Sequence, residues 1–261
     1  MKVAVVVSSC DAFQECWDPF IFSLNKYWAD CPWDVYIVSN YNSVDSENVN
    51  FILVGEDKGW ASNLKKAISQ IDADYIVYLQ EDYFLDFKVD SAQIKQHLAY
   101  CSENNIDYLR LFGPFFDEYA IADTPYSLSP KSKRYRLCLR SAIWKKKSFD
   151  KILIDGYSGW QFEWDIERYL VKNNITINSL VIQSQFYPHK AISSLGHTAV
   201  HKGMWTQSGY DYLKENGFEK ILNKRTKEGY LITKIIDNKI KWIMPFNSIL
   251  LRFLIKFKIN V

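Results

Sequence analysis

Short apolar runs alternate with amphipathic stretches through the first two-thirds of the chain, the pattern of a sheet covered by helices. Val3 to Val7 reads as a buried first strand, Phe20 to Trp28 as a helix, Val35 to Val38 as a second strand and Phe51 to Val54 as a third. In GWASNLKKAISQI, the positions Trp60, Leu64, Ala67, Ile68 and Ile71 recur at helical spacing and give one face to lie on the sheet. Tyr75 to Leu79 is the fourth strand, Asp90 an N-cap for a helix through about Cys101, and Tyr108 to Phe112 a further strand. Gly113 to Arg136, with three prolines, reads as an excursion over the active face. Arg136 to Trp144 reads as a strand, Trp160 to Val171 as a helix and Asn178 to Tyr187 as a strand. A polar loop from His189 to Trp205, a helix near Tyr210 to Leu222 and a basic apolar tail follow. The expected fold class is α/β, with a single domain over 1–231 and a separate amphipathic segment over 232–261.

Composition narrows the partners. With 261 residues and no linker rich in Gly, Ser or Pro, one large domain is favoured. Nine Trp, 17 Tyr and 16 Phe make up 16% of the chain, and exposed ring faces are what sugars and nucleobases stack on, although aromatic cores are commoner. A net charge of +2 lacks the basic excess of nucleic-acid binders, so no nucleic-acid partner is expected. The five cysteines are odd in number and form no CxxC pair, which fits a reducing, cytoplasmic setting without disulfides. The opening MKVAVVVSSCDAF reads as a buried strand and not as a signal peptide. In the tail, Lys241, Arg252 and Lys256 interrupt the apolar run too often for a transmembrane span. A helix lying on the inner membrane surface and a helix docked on the body are both open.

Candidate chemistry sits where the pattern changes. The acidic turn Gln80-Glu81-Asp82 follows the fourth strand directly, and ligands of open α/β sheets bind beyond the carboxyl ends of strands. Hard oxygen ligands such as Glu81 and Asp82 suit Mg²⁺ or Mn²⁺ and with it a diphosphate; the alternative is a solvated turn. In GYSGWQFEWDIERYL, Glu163 and Glu167 share a helical face, while Asp165 is turned about 200° from Glu163. Glu163, placed in the first turn, is the expected general base; the alternative is an acid set against the helix dipole. His189, His197 and His201, with Lys190 and Lys202 nearby, can complete a metal site, hold a diphosphate or simply be surface residues. Arg110 and Arg140 lie in apolar strands and need a carboxylate or phosphate, either in a substrate site or in a buried pair. Ser8, Ser9 and Asp11 follow the first strand, where a nucleotide can be hydrogen-bonded. The lack of GxGxxG, GxxxxGK[ST] and GxSxG weighs against dinucleotide enzymes, P-loop NTPases and hydrolases.

The succession VVVSSCDAFQECWDPFIFSLNKYW, VYIVSN, GWASNLKKAI, DYIVYLQEDYFL, RSAIWKK, SGWQFE and VHKGMW resembles bacterial polysaccharide and O-antigen glycosyltransferases with a GT-A fold. The resemblance covers roughly residues 3–205 and implies a Rossmann-like mixed sheet flanked by helices. It implies transfer of a hexose from a nucleotide-sugar donor, such as UDP-galactose or UDP-glucose, to a saccharide or lipid-linked acceptor by inversion. It places Asp11 in the donor-nucleotide loop, Trp60 and Asn63 beside the donor, and Glu81 and Asp82 in the part of an acidic DxD-type motif. Trp160 and Glu163 match the element supplying an acceptor-site aromatic and the base, and His201, Lys202 and Trp205 would close over the diphosphate. Gln80-Glu81-Asp82 departs from Asp-x-Asp, which bears on metal dependence. A different class is also consistent with these residues: a non-catalytic carbohydrate-binding or scaffold protein of a polysaccharide assembly complex. A sugar-nucleotide pyrophosphorylase is disfavoured, because SSCDAF offers no Gly-rich phosphate loop.

Overall fold

The computed structural model describes residues 1–111, 119–131, 135–183 and 198–229. The chain divides into two compact units, Met1–Thr198 and Ala199–Val261. In the first unit the strands are β1 (Val3–Ser8), β2 (Val35–Ser39), β3 (Asn50–Leu53), β4 (Tyr75–Gln80), β5 (Tyr108–Arg110), β6 (Tyr119–Ala120), β7 (Tyr126–Leu128), β8 (Ala142–Lys145) and β9 (Ser179–Ile182). Its helices are α1 (Trp17–Tyr27), α2 (Trp60–Ile68), α3 (Ser91–Glu103), α4 (Lys146–Ile152) and α5 (Gly159–Lys172).

All nine strands form one mixed sheet in the order β3-β2-β1-β4-β8-β5-β9-β7-β6. The strands β1 to β4 are mutually parallel, β8 runs antiparallel to both β4 and β5, and β5 pairs parallel with β9. The chain therefore steps outward from β1 to β3 and returns to the other side of β1 as β4. That reversal of strand order opens a crevice at the carboxyl ends of β1 and β4, the usual place for a ligand in such sheets.

Both faces of the sheet are covered, which is why its parallel strands read as unbroken apolar runs. Ala4 and Val6 of β1 and Ile76 and Tyr78 of β4 pack with Ala61, Leu64, Ala67 and Ile68 of α2, Phe149 of α4, and Phe162, Ile166 and Leu170 of α5. The alternate residues face the other way: Tyr75 Oη donates to the Cys101 carbonyl of α3 at 3.1 Å. Asp90 caps α3, accepting from the Ala92 and Gln93 N–H groups at 2.9 and 3.1 Å, as its position before an apolar periodic run predicts.

Several expectations need correction. Arg136 to Trp144 is not one strand, and pairing begins only at Ala142. The Leu139 N–H that a ladder would use donates instead to the Glu163 side chain, and the Arg136 side chain is drawn to α5. The stretch from Gly113 to Arg136 is more than an excursion, because it contributes β6 and β7, and β7 joins the sheet beside β9. The first helix begins at Trp17, after a 3-10 segment over Asp11–Cys16.

The second unit holds the hairpin β10 (Val200–His201) and β11 (Met204–Trp205), then α6 (Gln207–Glu215) and a 3-10 segment over Glu219–Lys224. The hairpin falls within the stretch read as a loop; Lys202 and Gly203 turn it with φ of +50° and +79°. The helix expected over Tyr210 to Leu222 ends early. Gly217 adopts φ +83°, and the Phe218 N–H closes back on the Leu213 carbonyl at 2.8 Å. The basic tail, like His189 and His197, lies outside the described residues. Among the described residues no helix is long and apolar enough to cross a membrane.

Candidate functional site

At the crevice, Ser8 ends β1 in register with Gln80 at the end of β4. The fully buried Tyr78 hydroxyl accepts from Trp60 Nε1 and from Gln80 Nε2, each at 3.2 Å, with the Ser8 hydroxyl beside it. Burial pushes the Tyr78 phenol well up, so it stays neutral and binds β1, β4 and the start of α2 together. Trp60 opens α2 and packs against Phe162, ring centroids 5.2 Å apart. Ser8 and Trp60, both expected at the donor, thus converge on a tyrosine that the sequence reading did not single out.

The remaining residues expected at the donor fasten the loops around this crevice. Asp11 accepts from the Asn40 N–H at 2.9 Å and the Tyr41 N–H at 3.0 Å, tying the turn after β1 to the exit of β2. Ser9 Oγ accepts from Trp17 Nε1 at 2.8 Å. Asn63 is buried; its Oδ1 accepts from the Lys58 N–H at 3.1 Å and its Nδ2 donates to Asp57 at 2.8 Å, which holds the approach to α2.

Glu81 and Asp82 are both buried, 6% and 7% exposed, so the alternative of a solvated turn does not hold. Their side chains look to different neighbours. Glu81 acts on Cys10 and Tyr78: burial first, then Glu81, pushes the Cys10 thiol up to about 11. Asp82 accepts from the Thr198 hydroxyl and acts on Tyr83. Among the described residues no three His, Cys, Asp or Glu side chains gather as a complete metal cage. Each carboxylate can offer an oxygen to a Mg²⁺-like ion that takes its other ligands from phosphate and water.

Helix α5 starts with a capping box: Ser158 Oγ accepts from the Gln161 N–H at 3.2 Å, and Gln161 Oε1 accepts from the Ser158 N–H at 2.8 Å. The predicted shared face is present. Glu163 Oε1 accepts from the Leu139 N–H at 2.7 Å, and Glu167 Oε1 accepts from Arg136 Nε at 2.8 Å, while Asp165 turns away toward Arg168. Because α5 begins at Gly159, no acid lies in its first turn, and Glu163 belongs to the second. Its anchor is a backbone amide of the neighbouring segment and not the helix end. Burial raises the Glu163 pKa, partly offset by the Leu139 N–H and by Arg140.

The two acidic regions, far apart in the chain, meet at Tyr83. Its hydroxyl lies in the field of Arg140, Asp82, Glu163 and Cys138. Tyr83 follows the acid pair directly in YLQEDYF, which is the only signal the sequence carries for it. Arg140 therefore stands at this cluster. Arg110 is fully buried in β5, with Nη1 donating to the Tyr135 carbonyl at 3.2 Å. Trp160, at the first turn of α5, is 61% exposed, and Trp164 one turn on is 49% exposed.

In the second unit, His201 Nδ1 is 2.7 Å from Glu228 Oε1, and Lys202 is exposed at the hairpin turn. Trp205, expected to touch substrate, is fully buried; its Nε1 donates to the Leu222 carbonyl at 3.2 Å and the Arg225 guanidinium lies over its ring. It is the core of that unit, as a large apolar side chain between a hairpin and α6 would be.

No family model matches the chain, and no curated protein does. Among solved structures it is similar to S. aureus TarS 1–349, at 14% identity over 85% of this chain and 66% of that one, with a TM-score of 0.48. The same protein in complex with UDP-GlcNAc is matched at 15% identity over 74% of this chain and 57% of that one, TM-score 0.45. HddC from Yersinia pseudotuberculosis is matched at 14% identity over 83% of this chain and all of that one, TM-score 0.49. The chain thus spans just under two thirds of TarS 1–349 or less.

Proposed function

We propose that this chain is a glycosyltransferase that moves a hexose from a nucleoside-diphosphate sugar to a saccharide hydroxyl with inversion. The observation that carries the reading is the meeting of Asp82, Glu163 and Arg140 around Tyr83, at the carboxyl edge of a mixed sheet. A transfer of this kind needs an anionic diphosphate stabilised on one side of the anomeric carbon and a base on the other, and a carboxylate with a raised pKa suits the second task.

In this reading the acceptor oxygen attacks the anomeric carbon while Glu163 takes its proton. The bond from that carbon to the diphosphate oxygen breaks, and its electron pair leaves with the nucleoside diphosphate. Oε1 of Glu163 is held by the Leu139 N–H, so Oε2 is assigned as the proton acceptor. Glu81 and Asp82 would hold a divalent ion, which when bound supplies charge neutralisation to the leaving group. The exposed Trp160 face, three residues before Glu163, is assigned to the acceptor, whether free or lipid-linked.

The test is a panel of UDP-glucose, UDP-galactose, UDP-GlcNAc and UDP, each with and without Mn²⁺, read as a rise in melting temperature. One UDP-sugar should stabilise the chain and release UDP on turnover. Absence of any nucleotide effect at millimolar concentration would remove the transferase and leave a carbohydrate-binding scaffold.

A further inference from the structure

Tyr83 stands out in this cluster because its hydroxyl has no hydrogen-bond partner among the described residues, although the residue is half-buried and ringed by charged groups. Its backbone is fixed: the Tyr83 N–H donates to the Gln80 carbonyl at 3.1 Å, which closes the turn at the end of β4. Tyr78, the other tyrosine of YLQEDYF, has its oxygen taken up by Trp60 and Gln80. A phenol carries one donor and acceptor capacity, and the half-buried Tyr83 hydroxyl is left open to a ligand. Tyr78 of β4 pairs with Ala142 of β8, so the turn that carries Tyr83 leaves the sheet beside the segment in which the Leu139 N–H binds Glu163.

The identity of that ligand follows from the neighbours, and here the argument rests on the transferase reading. Asp82 is on the side assigned to the diphosphate and Glu163 is the assigned base for the attacking hydroxyl. The moiety joined to the first and attacked from the second is the transferring hexose. We propose that the Tyr83 hydroxyl pairs with one ring hydroxyl of the transferring hexose and makes Tyr83 a determinant of which sugar the chain accepts. A phenol is protonated at neutral pH, so Tyr83 meets the sugar as a neutral donor and acceptor. A site that pairs a substrate hydroxyl in this way discriminates sharply against the analogue lacking it.

The experiment compares the wild type with Tyr83→Phe, which keeps the ring and removes only the oxygen. Affinity for UDP and for each UDP-hexose is measured by calorimetry, and kcat and KM by UDP release to water. For the preferred donor, kcat/KM should fall about tenfold or more in the variant, while UDP affinity stays within about twofold. Among monodeoxy forms of that donor, one should react equally with both proteins, because the pairing is already absent. Equal kcat/KM of the two proteins on the preferred donor overturns the proposal. So does a fall in UDP affinity as large as the fall for the UDP-hexose, which would place Tyr83 at the nucleotide. Failure of the wild type to bind any UDP-hexose overturns the transferase reading and this assignment with it, so the two failures are told apart.

Discussion

The backbone N–H of Leu139 donates to the side chain of Glu163 at 2.7 Å, so one oxygen of the proposed base is anchored to a segment that arrives from the neighbouring strand. The Leu139 N–H donates equally well to a carboxylate or an amide oxygen. Glu163→Gln should therefore keep the fold and the donor affinity while lowering turnover by at least about a hundredfold.

The same substitution has a stability signature. A carboxylate whose folded pKa is raised by burial favours folding below its unfolded pKa, and that contribution is lost as pH rises through the folded value. Glu163→Gln is then expected to melt at or above the wild type at pH 8 and to lose any advantage near pH 4. Activity of the wild type should rise with pH across the same raised value. A variant that retains full turnover would remove Glu163 as base.

Arg136 and Glu167 form an ion pair of 2.8 Å with side chains only 5% and 13% exposed, and Arg136 Nη1 also donates to Ser179 Oγ at 2.6 Å and to the Ile177 carbonyl at 3.2 Å. Removing one partner leaves a buried charge without its counterpart. Arg136→Ala is expected to cost about 3–5 kcal/mol in urea denaturation, and Arg136→Met with Glu167→Leu to recover most of it. A loss under about 1 kcal/mol for the single variant would show that water repairs the pair.

His97 in α3 is fully buried, with Nδ1 2.9 Å from Tyr126 Oη, and burial pushes its pKa down to about 4. A depressed folded pKa contributes stability above the unfolded value near 6.5, which is lost as pH falls toward 4. The chain should lose up to about 3 kcal/mol across that window from this residue. His97→Gln should flatten the dependence, measured as urea midpoints at pH 7, 5 and 4. An identical slope in both proteins would assign the acid sensitivity elsewhere.

Much of this arrangement is legible in the sequence because periodicity reports local burial. The runs at Val3, Val35 and Tyr75 are parallel strands, and helical spacing alone sets Glu163 and Glu167 on one face with Asp165 turned away. The segment from Arg136 to Arg140 misled for a physical reason. Its conformation is dictated by side chains of α5, which bond its amide and its guanidinium, and such long-range capture leaves no local period. Tyr78 and Tyr83 carry no local signal, because a tyrosine in an apolar strand or turn looks like core. Only the partners of their hydroxyls separate the two.

Strand β8 runs against β4 and β5, with Ala142 beside both Tyr78 and Arg110. A strand that points backward must be entered from the rim where its neighbours finish. The peptide leading into it, with Leu139 and Arg140, is thereby delivered to the acidic rim by topology alone. The ladder begins only at Ala142, so a change of side chain at Arg140 leaves every rung in place. The reversed strand separates the part of the chain that evolution can retune from the part that must stay in step.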